Sequence, residues 1–270
     1  MKERLTAMDF GIKGKRALLL AASGGLGKAS ALALSREGVS VAVSSSNLER
    51  AQVAAAEISA ETGNLAVGLL GDLSAPSNMA VLIANAKREL GGEIDIVLLN
   101  HGGPPMQSAV EVSQDHMASQ VNMMVMSQVA VAQALVSGMV ERGWGRILMV
   151  GASAVSQPIP NNVLSNMFRN ALAQYCKTLA NEVVKSGVTV NVVSPMTVLT
   201  DRTRDMAAKN AEKKGVTPEE ELAAREANLP SGRFGKPEEY GSLIAYLSSD
   251  LAAYCTGSNW RVDGGNVKAL

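Results

Sequence analysis

Cysteine is almost missing: Cys176 and Cys255 are the only two in 270 residues. They build no disulfide framework and match no metal-ligand spacing, which argues against a stapled secreted scaffold and for reduced thiols in a cytoplasmic protein. Histidine is as scarce, with His101 and His116 alone, so no metal centre is expected. Net charge is missing too. Twenty-five basic residues balance twenty-five acidic ones, without the basic excess or stripe that a nucleic-acid partner would leave. No run approaches the roughly 18 uninterrupted apolar residues of a membrane span. The opening "MKERLTAMDFGIKGKRALLLAAS" carries charges, but its apolar run is short and passes straight into glycines, unlike a cleavable leader. Linkers, composition shifts and repeats are all lacking, so residues 1–270 read as a single domain.

What is present is apolar and rhythmic. Hydrophobic residues make up 47% of the chain and charged residues 19%, enough for a sizeable core. Short aliphatic runs alternate with helical patterns. "RALLLAA" is followed by the helix "GKASALALSREG", which stops at Gly38; "VSVAVSSS" is followed by "NLERAQVAAAEISAETG", capped by Asn47. "NLAVGLLGD", "IDIVLLNHGG", "GRILMVGAS" and "GVTVNVVSP" repeat the theme. Continuous apolar strands imply a parallel sheet covered on both faces, and the alternation implies a doubly wound α/β fold. The polar stretch after "SPMTVLTDRT", about residues 200–232, follows a strand end and is expected to form a lid. Within it, Glu219, Glu220 and Glu221 read as a solvated helix face. The Met-rich "VNMMVMSQVAVAQALVSGMV" has the helical spacing of core or subunit contact.

The loop "LAASGGLGKA", which includes Ser23 and Leu26, lies between the first strand and its helix. Gly25 and Gly27 let the backbone approach a pyrophosphate, which the helix N-terminus would bind through aligned N–H donors. At the end of the second strand an acidic residue would select NAD through the ribose 2′-hydroxyl. Here stand Ser44, Ser45, Ser46 and Asn47, whose polar groups could bind a 2′-phosphate, with no carboxylate to repel it and no arginine to pair with it. NADP is therefore the expected cofactor, with NAD as the alternative.

Further motifs carry a resemblance. The glycine loop at residues 21–27, "GDLS" at 71–74, "LNHGG" at 99–103, "VN" at 121–122, "GRILMVGAS" at 145–153, "VNVVSPMTVLT" at 190–200, "GRFGKPEE" at 232–239 and "YCTGSNWRVDGG" at 254–265 follow one order. Together they resemble the short-chain dehydrogenase/reductases, in particular the branch similar to 3-oxoacyl-carrier-protein reductases, over nearly the whole chain. That resemblance implies a Rossmann-type domain with a seven-stranded parallel sheet, helices on both faces, and commonly a homotetramer. It also implies that Asp72 and Leu73 flank the adenine, and that Asn100 and Gly102 line the cofactor groove. Pro195, Val198 and Thr200 would contact the nicotinamide carboxamide and the adjacent phosphate, and Asn122 would hold a water relay.

The family's proton machinery is a serine on the fifth strand, then a tyrosine, then a lysine four residues later. Here Ala152 stands at the serine, with Ser153 next to it, Ser165 at the tyrosine and Arg169 at the lysine. Ala21 replaces the usual first glycine of the loop, and Met196 the glycine after Pro195. Ser165 and Arg169 keep the four-residue spacing that puts both on one helix face. A shift to Tyr175 fails, because Lys177 is only two residues on. Arg169 can hold the nicotinamide ribose, but a serine hydroxyl is a far weaker acid than a phenol of pKa about 10. Losing the general acid forfeits about 10²–10⁴ in rate. His101 is either a replacement acid, acting through water, or a side chain lining the adenosine half of the groove. His116 reads as a helix-surface residue. Ser153 either substitutes for the missing serine or caps the turn. Two functions follow: hydride transfer between NADP and a small-molecule carbonyl or secondary alcohol, or cofactor binding without turnover.

Overall fold

The computed structural model describes residues 8–269. The charged segment at residues 1–7, weighed above against a leader, lies outside the described residues. Seven parallel strands form one sheet in the order β3-β2-β1-β4-β5-β6-β7. The strands are β1 (Arg16–Leu19), β2 (Ser40–Ser45), β3 (Ala66–Leu70), β4 (Ile96–Leu99), β5 (Gly145–Val150), β6 (Val188–Pro195) and β7 (Asn259–Val262). The first helices are α1 (Gly25–Arg36), α2 (Leu48–Thr62), α3 (Met79–Glu89), α4 (Gln114–Val121) and α5 (Ser127–Glu141). They are followed by α6 (Val163–Val183), α7 (Asp201–Lys214), α8 (Pro218–Ala227) and α9 (Pro237–Ser248).

The unbroken apolar strands are explained by burial on both sides. Leu18, Val97, Leu99, Ile147 and Met149 pack with Val131, Leu135 and Leu172 from α5 and α6. Their strand neighbours Ala17, Leu19, Ile96, Leu98 and Leu148 pack with Leu34, Tyr240 and Ile244 from α1 and α9. Alternate side chains of one run thus feed two cores. The winding reverses between β1 and β4, which opens the crevice at the strand ends where such sheets bind ligands.

Helix boundaries follow local chemistry. Asn47 accepts from the Arg50 N–H at 3.0 Å and caps α2 as expected. Gly38, with φ +81°, takes the left-handed turn after α1. A five-residue π-helical segment, Asn122–Met126, joins α4 to α5, so residues 114–141 run as one helix. That helix is long and apolar enough to cross a membrane, yet Val131, Ala132, Leu135 and Met139 on it are buried in the sheet core.

The polar stretch forms α7 and α8. The charge run within it is not wholly solvated: Glu221 is only 3% exposed. It pairs with Lys214 at 2.7 Å and Arg225 at 3.5 Å, tying α8 to α7. The expectation failed because a run of three glutamates does not say which one turns inward.

Candidate active site

The crevice begins at the loop between β1 and α1. Gly25 has φ +52°, and a methyl group there would face Thr200 at 3.6 Å, so the loop and the entry to α7 form opposite walls. Gly24 has nothing within 4 Å of such a methyl and leaves its backbone open. Gly27 answers to the protein instead: a Cβ would stand 2.6 Å from Ala22 Cα. Ser23 and Leu26 are half-buried along this loop. Ala21, at the usual glycine position, keeps φ +46°, and Thr197 at the far end of the groove has φ +54°. Left-handed backbone in non-glycine residues costs of order 1–3 kcal/mol and concentrates at functional sites. An open backbone, a left-handed turn and the twelve-residue α1 behind them fit a pyrophosphate.

At the end of β2 the residues divide. Ser44 is fully buried beneath Gly71 and cannot reach a ligand. Ser45 is 8% exposed and accepts from the Asn47 N–H at 3.2 Å. Ser46 and Asn47 are exposed. An arginine is present after all: Arg50 lies exposed in the first turn of α2, just beyond the end of β2. Asp72 spends one carboxylate oxygen on the Ser74 N–H at 2.9 Å. Leu73 is 5% exposed and belongs to the core, and its carbonyl accepts from the Ser127 hydroxyl at 2.7 Å. Asn100 donates to the Ala21 carbonyl at 3.0 Å, bracing β4 against the glycine loop. Val198 is buried and bridges to Gly235, Pro195 ends β6, and Thr200 caps α7 through the Thr203 N–H.

Of the residues expected to carry the chemistry, Arg169 reaches the end of β5 and Ser153 follows that strand. Ser165 is 4% exposed on α6. Arg169, one turn on, donates to the Val150 carbonyl, and burial lowers its pKa to about 10, which leaves it charged at neutral pH. Ser153 is buried at the start of a 3₁₀ turn, Ser153–Val155, where its carbonyl accepts from Ser156 and Gln157; it sits in the turn after the strand, with Ala152 half-exposed at the strand end. Asn122 opens the π segment, a wide turn often found at functional sites.

Other acids are turned away. Tyr240 is fully buried, donates to the Val193 carbonyl at 3.1 Å, and has its pKa pushed up by burial. Tyr175 packs on the core, while Lys177 reaches the Gly257 carbonyl at 3.0 Å. His101 is 5% exposed; burial, then the charges of Arg169 and Arg202, hold its pKa well below 6.5. It carries no spare proton at neutral pH. Cys176 is buried, its thiol pushed up to about 12, and inert.

The seven-stranded sheet and open glycine loop define a dinucleotide-binding oxidoreductase fold, and the relatives agree. The sequence pattern of a family described as Enoyl-(Acyl carrier protein) reductase matches residues 20–266. The chain belongs to the short-chain dehydrogenase/reductase family. A 3-oxoacyl-(acyl-carrier-protein) reductase of Pseudomonas aeruginosa is 30% identical, over 94% of this chain and 98% of that one. The L-sorbose reductase of Gluconobacter frateurii, solved with NADPH and L-sorbose, superposes with TM-score 0.92 at 29% identity, over 97% of this chain and 100% of that one. An actinorhodin polyketide ketoreductase solved with NADPH gives TM-score 0.88 at 26% identity, over 94% of this chain and 97% of that one.

Proposed function

We propose that this protein is an oxidoreductase that moves hydride between NADP(H) and a carbonyl or secondary alcohol on a small molecule. The observation that carries the reading is the pairing of an open glycine loop with Arg169, a charged guanidinium at the tip of β5. Bound nicotinamide would supply the redox chemistry, and the protein orientation and electrostatics. Gly24, Gly25 and the start of α1 would hold the pyrophosphate; Ser46, Asn47 and Arg50 would hold the 2′-phosphate. Asp72 and the Leu73 backbone would border the adenine. Asn100, Gly102, Pro195, Val198 and Thr200 would line the groove toward the nicotinamide.

Arg169 would hold the ribose and stabilise negative charge developing on the substrate oxygen. Ser165, Ser153 and Asn122 would orient that oxygen or a relay water. Without a phenol near the reacting oxygen the proton comes from a poorer donor, so turnover is slow. We further propose a homotetramer built on α5 and α6, a lid formed by α7 and α8 over about residues 200–232, and a cytoplasmic setting with both thiols reduced.

The test is NADPH oxidation across ketones, β-ketoacyl thioesters and oxo acids, with NADPH affinity measured alongside. Wild-type turnover should exceed that of a Ser165→Ala, Arg169→Ala control by about tenfold or more. NADPH binding with no turnover above that control would leave a cofactor-binding member that no longer catalyses.

A further inference from the structure

A cation ties the start of α7 to the loop after β4. Arg202, at the start of α7, donates to the carbonyl of Gly102 and, at 3.0 Å, to that of Pro104. A Cβ on Gly103 would stand 2.3 Å from an Arg202 guanidinium nitrogen, so that group lies directly across the backbone after β4. These bonds leave guanidinium N–H donors unspent. Arg169 on α6 is in the same condition, with the Val150 carbonyl as its partner. Among the described residues the arginines in ion pairs are others: Arg16, Arg36, Arg88, Arg142, Arg146, Arg225 and Arg233.

β4 and β5 are neighbours in the sheet, so Arg202 at the end of β4 and Arg169 at the end of β5 bring two guanidinium groups to the same end of the sheet. His101 lies there too, just after β4. Its Nδ1 accepts from the Gly103 N–H at 2.9 Å, which puts the ring proton on Nε2, and Nε2 is buried without a partner. Two guanidinium groups without a carboxylate partner and a buried N–H with no acceptor are each costly alone, and a single anion would satisfy all three.

We propose that the substrate carries a carboxylate, bound between Arg202 of the lid and Arg169 of α6, with the His101 Nε2–H as a further donor. The inference rests on the oxidoreductase reading and narrows it to oxo acids and the corresponding hydroxy acids. Gly102 would line the cofactor groove and Arg169 would hold the ribose, so the pair stands beside the bound dinucleotide; the pyrophosphate has its own donors in the loop after β1, which leaves guanidinium N–H groups for a substrate anion. Planar guanidinium forks also match a carboxylate in shape. Lid and substrate are thereby linked: closure of α7 delivers half of the anion site.

Calorimetric titration of the NADP⁺-bound protein tests this, with phenylpyruvate, acetoacetate and 2-oxobutanoate as probes, each beside its methyl ester. At least one acid should bind about tenfold or more tighter than its ester. Arg202→Ala should weaken that acid by about tenfold to a hundredfold, the usual worth of a charge-assisted hydrogen bond. Arg202→Lys should restore part of the loss, and both variants should keep wild-type affinity for NADP⁺. Esters that bind as well as acids, or acids that do not bind the NADP⁺ complex at all, overturn the inference. So does an Arg202→Ala variant that loses NADP⁺, since the guanidinium would then serve the dinucleotide. Failure of the oxidoreductase reading looks different: no heat with NADP⁺, or bound acid with no NADPH oxidised.

Discussion

At the scale of single residues the site is a set of exchanges, each with a calculable consequence. Replacing a phenol by Ser165 removes a proton donor; replacing an ammonium by Arg169 keeps the charge and adds planar donors. His101 shows how burial changes what a residue can do. A free imidazole is half-protonated near 6.5, but this one is held neutral in the folded protein, first by desolvation and then by Arg169 and Arg202. The unfolded chain therefore binds a proton that the folded chain refuses. The group's contribution to stability is complete above about pH 6.5 and is lost as the pH falls toward its lower folded value. Denaturant midpoints should drop between pH 7.5 and 5.5, and drop less in His101→Asn. Equal losses in the two proteins would show that the imidazole is free to ionise in place.

At the scale of elements, what could be read from the sequence depended on whether one stretch holds its own explanation. The strands were legible because both faces of β1, β4 and β5 are buried, so their apolar runs are unbroken. β7 is four residues of half-exposed "NWRV" without an apolar run, and only the seven-stranded sheet implied by the resemblance allowed for it. The π segment at Asn122–Met126 could not be read, because a change from i→i+4 to i→i+5 bonding leaves the residue pattern intact. Arg50 and Arg202 were missed for a related reason: each lies in a polar helical turn and gains meaning only from what the fold brings beside it. The α7–α8 pair makes the same point energetically. Its buried residues are few, Ala207, Ala211 and Glu221, so its cohesion leans on the Glu221 pairs with Lys214 and Arg225. Removing a buried carboxylate from two cations is destabilising, though here Lys214 remains in water and limits the loss. Glu221→Ala should speed hydrogen exchange across residues 201–227 about tenfold, equivalent to about 1.4 kcal/mol of local stability, with the sheet unchanged. Exchange that rises equally in β4 and β5 would make Glu221 a residue of the global core.

At the scale of the whole molecule the remaining question is why a chain with two packed cores keeps so much apolar surface. The helix at residues 114–141 has only 39% of its most apolar window buried. Met126 on the π segment is 49% exposed, Val140 on α5 36%, and Met167 and Val184 near the two ends of α6 45% and 46%. Single exposed apolar residues are ordinary, but two neighbouring helices that share this bias make a surface suited to another copy of themselves. Methionine is well adapted to such contact, being flexible enough to fill an imperfect fit. Closed point-group assembly through both helices would bury these faces and hold α6, and with it Ser165 and Arg169, in a fixed position. Sedimentation velocity at micromolar protein should then give a tetramer. Met126→Glu combined with Met167→Glu should shift it to smaller species while far-ultraviolet dichroism stays unchanged, because neither side chain enters the core. A wild-type protein that sediments only as a monomer would leave these faces without a partner, and the rigidity of α6 would have to come from the sheet alone.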